Sequence, residues 1–252
     1  MSDFAGKTAL VIGATSGIGR AAVLEFAAAG ANVAIVGLGA ADGRQVETDV
    51  RALGKGEALF IEADVSRMAS VQTAVQRAVE RFGRLHVAVN NAGIEGPFGP
   101  VQEATADDFD RIIGVNLKGI WHGLKFEIPH MLAHGGGAIV NTSSSAGVTG
   151  IANVALYTAS KHAVVGLTKA TALELAKSNI RVNAVAPGPV NTGLLHRMIA
   201  GKIDVATIAG HVPMGRVSEP VEAARAIVWL CSEAASFVTG HTLVVDGGLT
   251  VG

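Results

Sequence analysis

Tyr157 and Lys161 are the residues from which chemistry can first be argued. They stand four apart in the run Tyr157-Thr158-Ala159-Ser160-Lys161, inside a helical pattern from Ala152 to Lys177. Residues at that spacing share a helix face, so a phenol and an ammonium can approach each other. A free tyrosine titrates at about 10, too high for ready proton exchange at neutral pH, and a nearby positive charge favours the phenolate. An acid/base works best with its pKa near the working pH. Tyr157 is the only tyrosine in a chain that has eight phenylalanines, which sharpens the functional reading. Upstream, Ser144 lies in Asn141-Thr142-Ser143-Ser144-Ser145, directly after an apolar strand pattern. Ligands of open α/β sheets bind beyond the carboxyl ends of strands, so a serine there can hold a substrate oxygen. The plainer alternatives are a helix-surface pair and an ordinary serine turn.

A second constellation is Gly13-Ala14-Thr15-Ser16-Gly17-Ile18-Gly19, which follows the first apolar run and leads into Arg20-Ala21-Ala22. Glycine takes backbone angles that side chains forbid, and it lets a phosphate come close to the main chain. The helix that follows offers unpaired N–H groups and a positive dipole end. In an α/β sheet that is where dinucleotides bind. The spacing is Gly-x-x-x-Gly-x-Gly, so a plain tight turn and a methyltransferase binding S-adenosylmethionine are the rival readings.

The elements that must position these groups follow from patterning. Ala9–Gly13, Val33–Val36, Ala58–Ile61, His86–Val89, Ala138–Val140, Val182–Val185 and Thr242–Val245 read as strands. They are apolar throughout, as strands buried on both faces are. Helical patterns lie between them, among them Ser70–Phe82 and Ala104–Ala133. Repeated βα alternation predicts an α/β fold: a single doubly wound, Rossmann-like domain over residues 1–252, with a parallel seven-stranded sheet and helices on both faces. The segment Pro187–Ser218 carries no clear pattern, and a loop of that length is more often functional than accidental.

Composition narrows the function classes. With 20 basic and 21 acidic residues and no basic stripe, nucleic-acid binding is not expected. The eight histidines show no larger ligand cluster, so no metal is expected. The single cysteine, Cys231, lies in a helical apolar pattern and reads as buried and structural. The start of the chain, with Asp3 and Lys7, shows no signal peptide, and no run of about 18 apolar residues predicts a membrane span. A cytoplasmic location is expected. Charged residues make up only 16%, which predicts that part of the surface is covered by copies of the chain, as a homotetramer or dimer.

These motifs together resemble a short-chain dehydrogenase/reductase of the compact type, and the resemblance runs over essentially the whole length. Gly13, Gly17 and Gly19 are similar to the family's cofactor turn, and Asn90-Asn91-Ala92-Gly93 to its motif after the fourth strand. Asn116 in Val115-Asn116-Leu117 falls at its helix asparagine. Ser144 stands thirteen positions before Tyr157, and Tyr157 with Lys161 resembles its Tyr-x-x-x-Lys pair. Pro187-Gly188 resembles its turn after the sixth strand, and Thr192 the residue that holds the nicotinamide amide.

The resemblance implies hydride transfer between a nicotinamide and a small neutral ketone or secondary alcohol, with NAD(H) or NADP(H) as cofactor. Tyr157 would give or take the proton, Ser144 would hold the oxygen, and Lys161 would lower the tyrosine pKa and grip the ribose. Asn116 would hold a water linking Lys161 to solvent. The implied cofactor set is Gly13, Thr15, Ser16, Gly17, Ile18, Gly19, Gly37, Leu38, Asp64, Val65, Asn91, Ala92, Gly93, Tyr157, Lys161, Pro187, Gly188, Val190 and Thr192. Ser144, Ala146, Asn153 and Tyr157 would meet substrate. Asp64 would meet the adenine. The Tyr–Lys pair leaves a methyltransferase little support. A catalytically silent, nucleotide-binding relative is the alternative, and the intact Ser144, Tyr157 and Lys161 speak against it.

Two positions depart from the family's pattern. Ile12 stands where a threonine usually precedes the first glycine, which predicts a less rigid turn. Gly37-Leu38 supply neither the acidic residue that marks NAD nor the arginine that marks NADP, and Arg44 is the nearest cation in sequence. The loops after the fourth, fifth and sixth strands are mostly apolar, with no cluster of Arg or Lys, hence the expectation of an uncharged substrate.

Overall fold

The computed structural model describes residues 4–251; Asp3, one of the charges behind the reading of the N-terminus, lies outside them. The strands are β1 (Thr8–Ile12), β2 (Asn32–Gly37), β3 (Ala58–Glu62), β4 (Val87–Asn90), β5 (Gly137–Thr142), β6 (Ile180–Pro187) and β7 (Thr242–Val245). They form one seven-stranded sheet in the order β3-β2-β1-β4-β5-β6-β7, with every ladder parallel. Each expected strand is present, with ends shifted by a residue or two.

Alternate side chains point to opposite faces of a strand, so a doubly covered strand must be apolar at every position. Along β1, Ala9 and Val11 join a core with Phe26 and Ile227, while Leu10 and Ile12 join a second core with Val71, Val75 and Leu124. The first core lies under helices α1 (Gly17–Ala28) and α9 (Pro220–Cys231). The second lies under α3 (Met68–Phe82) and α5 (Gly119–Ala133). Helix α2 (Ala40–Leu53) covers the β2–β3 edge, and α6 (Ala155–Leu175) packs on β6. Cys231 is buried at the end of α9, and burial pushes its thiol up to about 12.

Strand order reverses between β1 and β4, so the loops at their carboxyl ends diverge and leave a crevice there. Every residue of the expected site except Asn153 and Asn116 lies in or just beyond the carboxyl end of a strand, or on a helix entered from one.

The pattern Ala104–Ala133 is one unbroken helical run from Ala106 to Ala133, made of α4 (Ala106–Ile113), a π-helical turn at Gly114–Lys118, and α5. Thr105 and Asp108 close a capping box that starts it. One reading needs correction. The segment Pro187–Ser218 is not structureless: it holds α7 (Gly193–Ile199) and α8 (Val205–His211), capped by Thr192 and Asp204. Each spans only about two turns, too short for a periodicity to stand out.

Candidate active site

The glycine turn is shaped by close approach. Gly13 has φ +82°, and a side-chain carbon there would lie 2.5 Å from the main-chain nitrogen of Ala92. A side chain at Gly19 would collide with the Gly13 carbonyl, which accepts from Asn91 Nδ2 at 2.9 Å. Ile12 is buried in the core, and the turn is braced in other ways: Gly13 and Ala14 both donate to the Val36 carbonyl, at 2.8 and 3.0 Å. Loss of the threonine hydroxyl therefore leaves the turn pinned.

Ser16 stands at the N-cap of α1 without capping it through its side chain, and the first turn of α1 carries no acid. The helix end thus keeps free N–H groups and positive potential for an anion. Thr192, at the start of α7, packs against Gly17, where a side-chain carbon would lie 3.2 Å from its methyl. Its hydroxyl donates to the Val190 carbonyl and caps α7. Gly188 donates to the Val245 carbonyl and has no room for a side chain beside Asp246. On the other side, Gly37 lies beside Thr15, Ile18 packs against the first core, and Leu38 is 61% exposed. The Asp64 carboxylate accepts from the amide and hydroxyl of Ser66, and the Val65 carbonyl pairs with the buried ring of His122 at 2.8 Å. The residues present thus fit a dinucleotide: a glycine cradle that side chains would fill, and an uncapped helix end facing it.

Ser144, Tyr157 and Lys161 converge at the carboxyl end of β5. The Tyr157 ring is 8% exposed and sits among Ala146, Val154, Phe98 and Met198. Burial pushes its phenol above the ordinary value; a hydrogen bond with the Ser144 hydroxyl pulls it down, and the charge of Glu95 pushes it up. Lys161 lies 5.7 Å from the ring centroid and donates to the Thr142 carbonyl at 3.0 Å. Burial alone lowers its ammonium to about 8. The net direction at Tyr157 is therefore upward, against any lowering that Lys161 supplies. In this arrangement the ammonium is turned toward a carbonyl, and desolvation of the phenol prevails.

Asn116 sits in the π-helical turn, fully buried. Its Oδ1 accepts from the Ile94 amide at 2.8 Å, and its Nδ2 donates to the Ile94 carbonyl and to Ser160 Oγ. Its amide therefore clamps the loop after β4, and a water held at this residue needs another of its atoms. Gly93 lets Lys161 and Asn116 come close, because a side-chain carbon there would lie 3.3 Å from Lys161 Nζ. Asn153 is exposed, with φ +66°, and its carbonyl accepts from Gly99 at 2.9 Å. Its contact is with the loop after β4, through the main chain.

Sequence reasoning missed several groups. Thr142 links the Lys161 ammonium to Asn91 Oδ1, and Ser143 Oγ donates to the Lys161 carbonyl at 2.9 Å. Both belong to the polar run that follows an apolar strand, which was the available signal. The loops over the site also hold cations the apolar reading passed over. Arg197 on α7 pairs with Glu95, and Lys202 lies 4.9 Å from the Phe98 ring centroid. A cavity of about 130 Å³ opens beside the site between the loop after β4 and the start of α6, lined by Phe98, Pro100, Val101 and Leu156. Tyr157 is outside its lining.

Residues 13–250 match a family model described as enoyl-(acyl carrier protein) reductase. A cyclohexanol dehydrogenase from Acinetobacter sp. (strain SE19) is 41% identical, covering 99% of this chain and 97% of that protein. A trans-4-hydroxycyclohexanecarboxylate dehydrogenase from Sinomonas cyclohexanicum is 42% identical, covering 98% of this chain and 93% of that protein. Among solved structures, a 3-ketoacyl-(acyl-carrier-protein) reductase from Brucella melitensis complexed with NADH superposes with a TM-score of 0.91 at 37% identity, over 98% of this chain and 99% of that one. ElxO with NADP bound superposes at 0.90 and 34% identity, over all of both chains. With a parallel sheet that reverses at a glycine turn and a serine, tyrosine and lysine gathered beyond it, this chain belongs to the short-chain dehydrogenase/reductase family and interconverts a carbonyl and a secondary alcohol by hydride transfer with NAD(H) or NADP(H).

Proposed function

We propose that Tyr157 is the acid/base of this reaction, that Ser144 holds the reacting oxygen, and that the substrate is an uncharged ring ketone or its alcohol. The observation that carries this reading is the meeting of Ser144, Tyr157 and Lys161 at the carboxyl end of β5, across the crevice from the glycine turn. The nicotinamide, when bound, supplies or accepts the hydride. The turn from Gly13 to Gly19, with Thr15, Ser16, Gly17 and Ile18, would hold its pyrophosphate. Gly37 and Leu38 would meet the adenosine ribose, and Asp64 and Val65 the adenine. Asn91, Ala92 and Gly93 would line the middle, with Pro187, Gly188, Val190 and Thr192 on the nicotinamide side.

In ketone reduction Tyr157 donates its phenolic proton to the carbonyl oxygen. A phenol held above its ordinary pKa stays protonated at neutral pH and is ready to donate, so the site suits reduction there and oxidation at higher pH. The Ser144 hydroxyl fixes the oxygen within reach of that proton. Lys161 keeps most of its charge below about 8 and stabilises the phenolate left behind; Asn116 fixes the loop that carries Gly93 and Ile94. Ala146, Val154, Phe98 and Met198 make the wall apolar, which suits a ring such as the one named for the Acinetobacter relative. The chain would work as a single catalytic domain, since β1 and β7 share one sheet; the cytoplasm is the location expected from its sequence. A homotetramer would cover exposed Leu173, Trp229 and Phe237.

The test is Tyr157→Phe, assayed with cyclohexanone and cyclohexanol after titration with NADH and NADPH. Turnover should fall about 10³-fold while nucleotide affinity holds. Near-normal rates would remove Tyr157 from the chemistry, and no binding of either nucleotide would overturn the reading as a whole.

A further inference from the structure

Glu95 and Arg197 are 102 residues apart in sequence and meet over the site. Arg197 Nε donates to Glu95 Oε1 at 2.6 Å and its terminal nitrogen to Oε2 at 3.2 Å, a forked pair that fixes orientation as well as distance. Glu95 belongs to the loop clamped by Asn116 and is 21% exposed; Arg197 belongs to α7 and is 61% exposed. The next residue, Met198, packs on the Tyr157 cluster, so the pair sits where α7 meets the substrate wall. Phe98, on the loop that carries Glu95, and Met198 both pack on the Tyr157 cluster, so the pair stands at the mouth of the site, and the charge of Glu95 is felt at Tyr157. Arg197 and, less strongly, Arg111 face it, and Lys202 flanks the same mouth over Phe98.

We propose that Glu95 and Arg197 are positioning residues that form a clasp, closing α7 over the site and selecting uncharged substrates. While the pair is made, Arg197 is neutralised by a protein carboxylate, so a substrate carboxylate finds Glu95 repelling it and no free guanidinium to meet. An exposed pair of this kind is weak and screened by salt, so the clasp can open for each turnover. The proposal rests on the reading of the site given above.

The test compares cyclohexanol with trans-4-hydroxycyclohexanecarboxylate in wild type, Glu95→Gln, Arg197→Gln and the double variant. The wild type should prefer cyclohexanol. Glu95→Gln should raise relative kcat/KM for the carboxylate about fivefold, through KM, and the gain should shrink in high salt. The double variant should lose the gain, which separates Arg197 from Lys202. Arg197→Gln alone should raise KM for cyclohexanol with a smaller change in kcat. In ligand-free protein, amide exchange over residues 193–199 should quicken in both single variants. An unchanged ratio in Glu95→Gln, an equal gain in the double variant, or unchanged exchange would overturn the clasp. A wild type inactive on both alcohols would instead overturn the reading of the site, and the selectivity with it.

Discussion

Lys161 and Glu127 are opposite charges in equally dry places, and burial moves both to about 8. Lys161 lies at the carboxyl end of the sheet, with Tyr157, Gly93 and the Thr142 carbonyl around it. Glu127 lies on α5 against the middle of the sheet. It accepts from Asn90 Nδ2 at 3.0 Å, Asn90 also donates to Asn141, and Asn141 donates to Thr168. Among the described residues, Glu127 Oε1 and Asn90 Oδ1 are buried without a partner. Gly123 is what leaves room for both, since a side-chain carbon there would contact each. A neutral carboxyl has one proton to offer such a place. The contrast shows that a perturbed ionisation marks burial; it marks a site only where reactive groups share the space.

The comparison breaks most sharply on turnover. Lys161→Met should cut kcat by about 10²-fold, the low end for a group that assists proton transfer. Glu127→Gln should leave kcat within about threefold, because no reacting group touches it. Steady-state rates with either nucleotide, on variants shown by circular dichroism to be folded, decide the matter. Equal losses would erase the distinction between site and core.

Stability against pH sharpens the same comparison. A carboxyl raised from 4.5 to about 8 stabilises the fold fully below pH 4.5, and that stability is lost as pH climbs through 8. An ammonium lowered from 10.5 to about 8 does the reverse: its burial costs stability below pH 8, and the cost fades as pH rises to 10.5. Glu127→Gln keeps the hydrogen bonds and removes the charge, so it should flatten the fall between pH 5 and 8. The gain at pH 8 should be about 2 kcal/mol after relaxation, or about 4–8 °C in Tm for a chain of this size. Calorimetry at pH 5 and pH 8 reads it directly; a Tm lowered equally at both would mean that Glu127 is ionised and paired.

The strands were legible in the sequence because a doubly buried parallel strand has to be apolar at consecutive positions, as Ala9 to Ile12 are. The glycine turn and the Tyr157–Lys161 spacing were legible because both are local. What the sequence hid depends on groups far apart. Glu95 finds Arg197 across 102 residues, and Glu127 finds Asn90 across 37. The direction Lys161 takes was hidden too, since a spacing of four fixes a shared face and says nothing of the competing Thr142 carbonyl. The π-helical turn at Gly114–Lys118 left no trace in the apolar period, and the reading of the strands as apolar throughout passed over the buried Asn183 within one of them.

The smallest effect concerns the far end of the crevice, where Gly37 leaves the nucleotide choice without a charged referee. Arg44 is on α2 and exposed, and Leu38 offers no charge. Gly37→Asp places a carboxylate where the adenosine ribose would lie. Its first side-chain carbon would stand 3.1 Å from the Thr15 methyl, so Thr15 must yield slightly and both nucleotides should lose some affinity. The ratio is the informative quantity. Like charges near a partly exposed phosphate should cost NADPH about 1.4 kcal/mol relative to NADH, or about tenfold. Unlike the loss at Lys161, this one should fall on Kd and spare kcat. Fluorescence titration at low and high salt tests both points, since screening should shrink the ratio. An unchanged ratio would mean that the end of β2 does not face the ribose, and the cofactor-holding roles proposed for Gly37 and Leu38 would fall together.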